Sequence, residues 1–69
     1  MKLIATYVHN DHTTTKDHGE YESYEAYEHN GHVWHKFAFD GYEVEWSDKR
    51  LTKIEHVGDE TRAIIDWRE

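Results

Sequence analysis

The sequence contains no cysteine and no proline, and each absence restricts what the chain can be. Without cysteine there is no disulfide bond to stabilise a small domain and no thiolate to bind zinc. Without proline no rigid linker marks a domain boundary within the 69 residues. We therefore expect a single domain, residues 1–69, that is stabilised by side-chain packing, by a partner or by self-association.

Long apolar segments are also missing from the sequence. No stretch has the length and hydrophobicity of a signal peptide or of a membrane span. The lack of cysteine is compatible with a reducing compartment. The sequence thus predicts a cytoplasmic protein that is not exported.

Motifs for catalysis and cofactor binding are absent as well. The chain has no phosphate-binding loop, no nucleotide fingerprint and no nucleophile motif. A domain this short leaves little room for the pocket of roughly 300–1,000 Å³ that small substrates need. We therefore expect that the protein is not an enzyme and has no cofactor.

Acidic residues outnumber basic ones by 15 to 8, which gives a formal net charge of −7. This charge disfavours nucleic acid and anionic membranes as direct partners and favours a basic protein surface. Many small domains carry a net charge of about 2–8 for solubility alone, so acidity by itself does not decide the function.

Two turn signals organise the centre of the chain. Asn30-Gly31 and Asp40-Gly41 are typical of two-residue type I′ hairpin turns. They predict three antiparallel strands over residues 21–29, 32–39 and 42–47. These strands would form a three-stranded meander at the centre of the fold.

The pairing that these turns dictate separates apolar from charged side chains. Phe37 is expected opposite Tyr24 and Val44, with Val33 and Phe39 on the same face of the sheet. Lys36 is expected on the other face, between Glu25 and Glu45. A shift of one residue would destroy this separation, so the two turns support each other.

The remaining segments complete an all-β expectation. Residues 2–9 are apolar on both sides, which indicates a strand in a central or well-covered position. Residues 10–19 have loop chemistry and are expected to be the most mobile part of the chain, although the threonines could extend a β-hairpin arm. Residues 51–57 and 60–67 flank Gly58-Asp59, a hairpin signal that would pair Ile54 with Ala63, Thr52 with Ile65 and Arg50 with Trp67.

The sequence therefore predicts a small antiparallel sheet or open barrel of about six short strands. The expected core consists of apolar residues from all of these strands: Leu3 or Ile4, Val8, Val33, Phe37, Phe39, Val44, Trp46, Leu51, Ile54, Ile65 and Trp67.

Helix remains an alternative in two places. Asp17 and Glu20 resemble a capping box, and Asn30-Gly31 could end a helix that covers residues 17–29. Residues 59–68 could form a second helical segment. Either segment would give the alternative fold, which is α+β with one short helix.

Histidines are unusually frequent, with seven in the chain. His29 and His32 are expected to face each other across the Asn30-Gly31 turn, while His35 would be a hydrogen-bonded core histidine on the opposite face. A zinc site needs three or four ligands, so a further ligand would have to come from His12, His18 or Asp17. Because the spacing matches no specific metal motif, we predict no metal site, and a histidine-based metal-binding or pH-responsive protein is the alternative function.

Carboxylates and exposed aromatic side chains are the candidate binding residues. Residues two apart along a strand lie about 6.8 Å apart on one face, a separation of the order of that between successive nucleic-acid phosphates. Such a face could occupy a basic groove, although it could equally be a solvated surface that discourages aggregation. Tyr27 and Trp34, expected as cross-strand partners, would anchor the contact. The predicted partner-binding residues are Glu20, Glu22, Glu25, Glu28, Glu43, Glu45, Tyr27 and Trp34.

In overall character the chain resembles a group of phage-encoded inhibitors. Small, acidic, cysteine-free and aromatic-rich β domains are similar to phage inhibitors of bacterial defence nucleases and DNA-processing enzymes, including DNA mimics and anti-CRISPR proteins. The resemblance involves no motif and assigns no residue. It implies an inhibitor that binds a basic surface of a nucleic-acid-binding protein, with no direct contact to nucleic acid or membrane; a homodimer is left open.

Overall fold

The computed structural model describes residues 1–69 and confirms the all-β class, with seven strands and no helix. The strands are β1 (Lys2–Val8), β2 (Thr13–Glu20), β3 (Ser23–His29), β4 (His32–Phe39), β5 (Tyr42–Ser47), β6 (Leu51–Val57) and β7 (Glu60–Asp66). They form a four-stranded sheet in the order β2-β1-β7-β6 and a three-stranded sheet in the order β3-β4-β5. The structure contains no helix long and apolar enough to cross a membrane. The expected small antiparallel β fold is present, with its strands divided between two sheets that do not close into a barrel.

The three-stranded sheet is the predicted meander in its predicted register. Phe37 lies opposite Tyr24 on one side and Val44 on the other. Asn30 and Gly31 both have positive φ angles, 55° and 79°, as a type I′ turn requires. The prediction of a second type I′ turn is wrong, because Gly41 alone has a positive φ in the Asp40-Gly41 turn. The pairing across that turn is nevertheless the expected one.

The core lies between the two sheets. The three-stranded sheet contributes Phe37, Phe39 and Trp46, which are buried against apolar residues of the four-stranded sheet. Tyr21, in the connection between β2 and β3, packs on Phe37 with ring centroids 5.1 Å apart. The eight buried core residues are Leu3, Ala5, Phe37, Phe39, Trp46, Leu51, Ala63 and Ile65.

Several expected core residues lie elsewhere. Val33 and Trp67 are 39% and 38% exposed, and Val8 is only half-buried. Val33 lies next to the Asn30-Gly31 turn, where the core does not extend. Ala5 and Ala63, opposite each other on β1 and β7, are buried instead. Hydrophobicity alone favoured large residues and therefore missed the two alanines.

Strand β1 has the central position expected from its apolar character, between β2 and β7. Its pairing with β7 is parallel, with Ala5 opposite Ala63, and this contact was not predicted. No turn signal can indicate it, because the two strands are separated by most of the chain. The predicted purely antiparallel arrangement therefore holds for four of the five strand pairs.

The prediction of a loop over residues 10–19 is wrong from Thr13 onward, where the alternative of a β-hairpin arm is confirmed. Thr13–Glu20 forms β2, an edge strand that pairs with β1 and contains an irregularity opposite Leu3 and Ile4. Threonine is β-branched and favours extended backbone. An edge strand can form without the usual alternation of apolar and polar residues, because most of its side chains are exposed. Only His18 and Gly19 are half-buried in this strand.

Both helical alternatives are also wrong, since residues 17–29 and 59–68 contain strands and no helix. The first meander strand begins at Ser23 instead of residue 21. In the terminal hairpin Ile54 lies opposite Ala63 as predicted, but Ile65 lies opposite Leu51, not Thr52. An irregularity between Leu51 and Lys53 causes this shift.

Candidate functional site on the three-stranded sheet

One face of the three-stranded sheet points away from the core, and we call it the outer face. Strand alternation and the observed register place four cross-strand rows on it. From the Asn30-Gly31 turn these rows are His29–His32, Tyr27–Trp34–Ser47, Glu25–Lys36–Glu45 and Ser23–Ala38–Glu43.

Carboxylates dominate the charge of the outer face. Glu25, Glu43 and Glu45 are all exposed, and Lys36 lies between Glu25 and Glu45 in the register. The Lys36 ammonium is 3.7 Å from a carboxylate oxygen of Glu25. One ammonium against three carboxylates leaves a formal charge of −2 on these rows. Glu43 and Glu45 lie two residues apart on one strand, so their Cα atoms are separated by about 6.8 Å.

The aromatic pair of the outer face is present as predicted. Tyr27 lies directly opposite Trp34 and is 37% exposed. Trp34 is half-buried, and its indole N–H is buried without a hydrogen-bond partner. Tyr27 is therefore the more accessible of the two rings, while Trp34 supports it from the central strand.

Three of the predicted binding residues lie away from the outer face. Glu20 belongs to β2 in the other sheet, where its carboxylate is 2.8 Å from the N-terminal ammonium. Glu22 lies in the connection before β3, and its backbone N–H donates to the Ala38 carbonyl at 2.7 Å. Glu28 lies opposite Val33 on the other face of the sheet.

The predicted set therefore divides into two groups, and strand alternation explains the exclusion of Glu28 only. Glu25, Glu43, Glu45, Tyr27 and Trp34 are brought together, whereas Glu20, Glu22 and Glu28 are not. A spacing of three residues, as between Glu25 and Glu28, places successive side chains on opposite faces of a strand. This signal was present in the sequence, since the same register pairs Glu28 with Val33.

The proposed third metal ligands do not join His29 and His32. His12 contacts Asp11 through Nδ1 at 2.6 Å, and Asp17 accepts a hydrogen bond from the backbone N–H of Gly19 at 2.8 Å. No group of three or more potential ligands in the structure is arranged to hold a metal ion.

His18 lies at the boundary between the two sheets. Its Nε2 is 2.9 Å from the Tyr7 hydroxyl, and its ring lies against Phe39 and Trp46 with centroid distances of 6.0 and 6.3 Å. Its Nδ1 is buried without a hydrogen-bond partner. Burial lowers the pKa of His18, because the imidazolium loses hydration there. The nearby positive charge of Lys16 lowers this pKa further.

His35 is hydrogen-bonded on the face opposite the outer face, as predicted. Its Nδ1 is 2.7 Å from the Tyr24 hydroxyl, and the two rings are stacked with centroids 6.0 Å apart. His35 is only half-buried, so it is not the core histidine that was predicted, and it does not belong to the candidate site.

The contact between His32 and Asp48 is the feature that the sequence did not reveal. Asp48 follows β5 and places its Oδ1 2.9 Å from His32 Nδ1. Its Oδ2 accepts the backbone N–H of Val33 at 3.2 Å. The Val33 N–H and the His32 ring together lower the pKa of the Asp48 carboxyl. The Ser47–Trp34 pairing brings Asp48 next to Val33 and His32, but the side-chain contact itself does not follow from the register.

The candidate site is thus an open sheet face, since the structure has no pocket. Its carboxylates and aromatic rings are contributed by all three strands of the meander. No protein-family model matches the chain, and neither a curated protein nor a solved structure matches it.

Proposed function

We propose that this chain is an acidic protein-binding module, or inhibitor, whose outer face occupies a basic surface of another protein. The observation that carries the proposal is the presence of Glu25, Glu43 and Glu45 beside the Tyr27–Trp34 pair on one exposed sheet face. Aromatic residues supply most of the energy in many interfaces, and surrounding charges supply orientation and association rate.

The charge of the whole chain supports the same partner chemistry. The formal net charge is −7, so the protein attracts basic surfaces. This attraction extends over one Debye length, about 8 Å at physiological ionic strength. The spacing between Glu43 and Glu45 is of the order of that between neighbouring phosphates. The partner we propose is therefore a nucleic-acid-binding protein in the cytoplasm, which would make the chain similar in action to phage-encoded DNA mimics.

Two charge-reversal variants test this proposal. In the first, Glu43→Lys and Glu45→Lys change the outer face; in the second, Asp59→Lys and Glu69→Lys make the same change in net charge outside the three-stranded sheet. All four side chains are exposed, so both variants should fold. Folding is checked by circular dichroism and thermal melts.

Each variant is compared with the unaltered protein by quantitative capture of partners from a bacterial lysate at low salt. Reversal on the outer face should reduce capture of the bound proteins by about tenfold or more, because like charges would then face each other. The control variant should retain most of the capture. Equal losses in the two variants, or no loss from the outer-face variant, would exclude the outer face as the binding surface.

A further inference from the structure

The end of the outer face nearest the Asn30-Gly31 turn carries two histidines side by side. His29 and His32 are direct cross-strand partners, and the type I′ turn fixes their relative position. The Cβ atoms of such partners lie about 4.5–5.5 Å apart. Two imidazoles at this separation can reach one metal ion, since zinc–nitrogen bonds measure about 2.0–2.1 Å.

The Asp48 carboxylate holds the His32 ring in the form that binds metal. An ionised carboxylate only accepts hydrogen bonds, so the proton lies on His32 Nδ1, 2.9 Å from Asp48 Oδ1. The lone pair of His32 is therefore on Nε2, the nitrogen that does not contact Asp48. Metal-binding histidines commonly have a carboxylate behind the ring in this way, which fixes its orientation and raises its basicity.

Asp48 is itself held firmly by the neighbouring strand. Its Oδ2 accepts the Val33 N–H at 3.2 Å, and its own backbone N–H donates to the Val33 carbonyl at 2.9 Å. Both the side chain and the backbone of Asp48 are thus held in place before any ion binds. His32 lies on the central strand β4, so its position is also restricted by pairing.

We propose that His29 and His32 form a two-histidine site for a divalent transition metal ion, with Asp48 as the positioning residue. Imidazole nitrogen suits zinc, copper and nickel, and the remaining coordination positions would be open to water or to a side chain of a partner. This inference does not depend on the proposed acidic binding function. The site would have two protein ligands, fewer than the four of structural zinc sites or the three of catalytic ones, so we expect weaker and reversible binding.

A second histidine pair in the same chain lacks this geometry. The His9 and His12 rings are stacked, with centroids 4.3 Å apart and planes 16° from parallel. The lone pair of an imidazole nitrogen lies in the ring plane, so two nearly parallel planes at this distance do not converge on one ion. His9 and His12 therefore serve as an internal control.

The test is a titration of the tag-free protein with zinc chloride. Binding is measured by isothermal titration calorimetry, and the histidine rings are observed by NMR. One zinc ion per chain should bind, and the ring signals of His29 and His32 should shift before those of His9 and His12. His29→Ala should abolish the calorimetric signal without disturbing the contact between His32 and Asp48. Asp48→Asn should weaken binding by about 10–100-fold, and His9→Ala with His12→Ala should leave it unchanged.

The NMR readout on the unaltered protein keeps the test independent of any effect of substitution on folding. Absence of zinc binding would overturn the proposal. It would also be overturned if zinc binding survived His29→Ala, or if the His9 and His12 signals shifted first. Because no protein partner is involved, failure of this test would leave the proposed acidic binding function intact.

Discussion

At the scale of single residues, His18 shows how the packing of the two sheets constrains a polar side chain. It contacts Tyr7, Phe39 and Trp46, which belong to three different strands of the two sheets. Only Nε2 has a hydrogen-bond partner, and Nδ1 is buried without one. The protonated ring carries an N–H on both nitrogens, so its buried Nδ1–H would have no acceptor, which is costly.

This environment predicts a loss of stability as the pH falls below neutrality. The pKa of His18 is lowered in the folded state, while the unfolded chain keeps an ordinary value of about 6.5. The unfolded state then binds the proton first, so the free energy of unfolding decreases as the pH falls from about 6.5 towards the lowered value. Asp66, whose pKa is lowered to about 2 by its hydrogen bonds with Arg68, acts only at much lower pH.

The measurement is a series of urea denaturation curves between about pH 7.5 and 5. His18→Gln should flatten the dependence of the free energy of unfolding on pH, whatever its effect on absolute stability. The matched variant His12→Gln, at an exposed position, should leave the slope unchanged. The same slope in His18→Gln as in the unaltered protein would contradict this account of His18.

At the scale of elements, the meander is the part of the fold that the sequence predicted best. Its two glycine-containing turns fix the strand ends, and the Lys36 pairs and the Phe37 pairs both agree with that register. β2 was predicted only as an alternative to a loop, because Thr13, Thr14 and Thr15 are polar and its pairing depends on the backbone of β1. The parallel β1–β7 pair was missed because no local pattern specifies contact between distant strands.

The candidate site was predicted in part for the same reason. Glu25, Tyr27 and Trp34 were assigned to one face because the turn register determined it. Glu20 was assigned to the same surface only because β2 was not recognised as a strand of the other sheet. Asp48 was treated as part of a turn, and its contact with His32 depends on side-chain geometry that the register alone does not give.

The Asn30-Gly31 turn is the element on which both proposals depend, and it can be tested directly. Gly31 has a φ of 79°, a conformation that side chains other than glycine adopt at a cost. Gly31→Ala should therefore lower the free energy of unfolding by about 1–2 kcal/mol, measured by urea denaturation. Glu28→Ala, on an exposed strand position of the same hairpin, should change it by less than about 0.5 kcal/mol. Equal, small effects from the two substitutions would mean that Gly31 does not require its positive φ angle.

At the scale of the whole molecule, two small sheets share a thin core of eight buried residues. A domain of this length buries about 60% of the surface that its unfolded chain exposes. Most of its apolar side chains are therefore needed in the core. Acidic and aromatic side chains nevertheless occupy the exposed outer face of the three-stranded sheet. The four-stranded sheet supports that face from behind through Leu3, Ala63 and Ile65.

The central claim is that charge on this face directs binding to a basic protein surface. Once a partner has been captured, its dissociation constant should be measured over a range of about 50–500 mM sodium chloride. Because added salt screens exposed charges, we expect affinity to fall steeply over this range, with the loss arising mainly from slower association. An affinity that stays the same from low to high salt would contradict the proposed function.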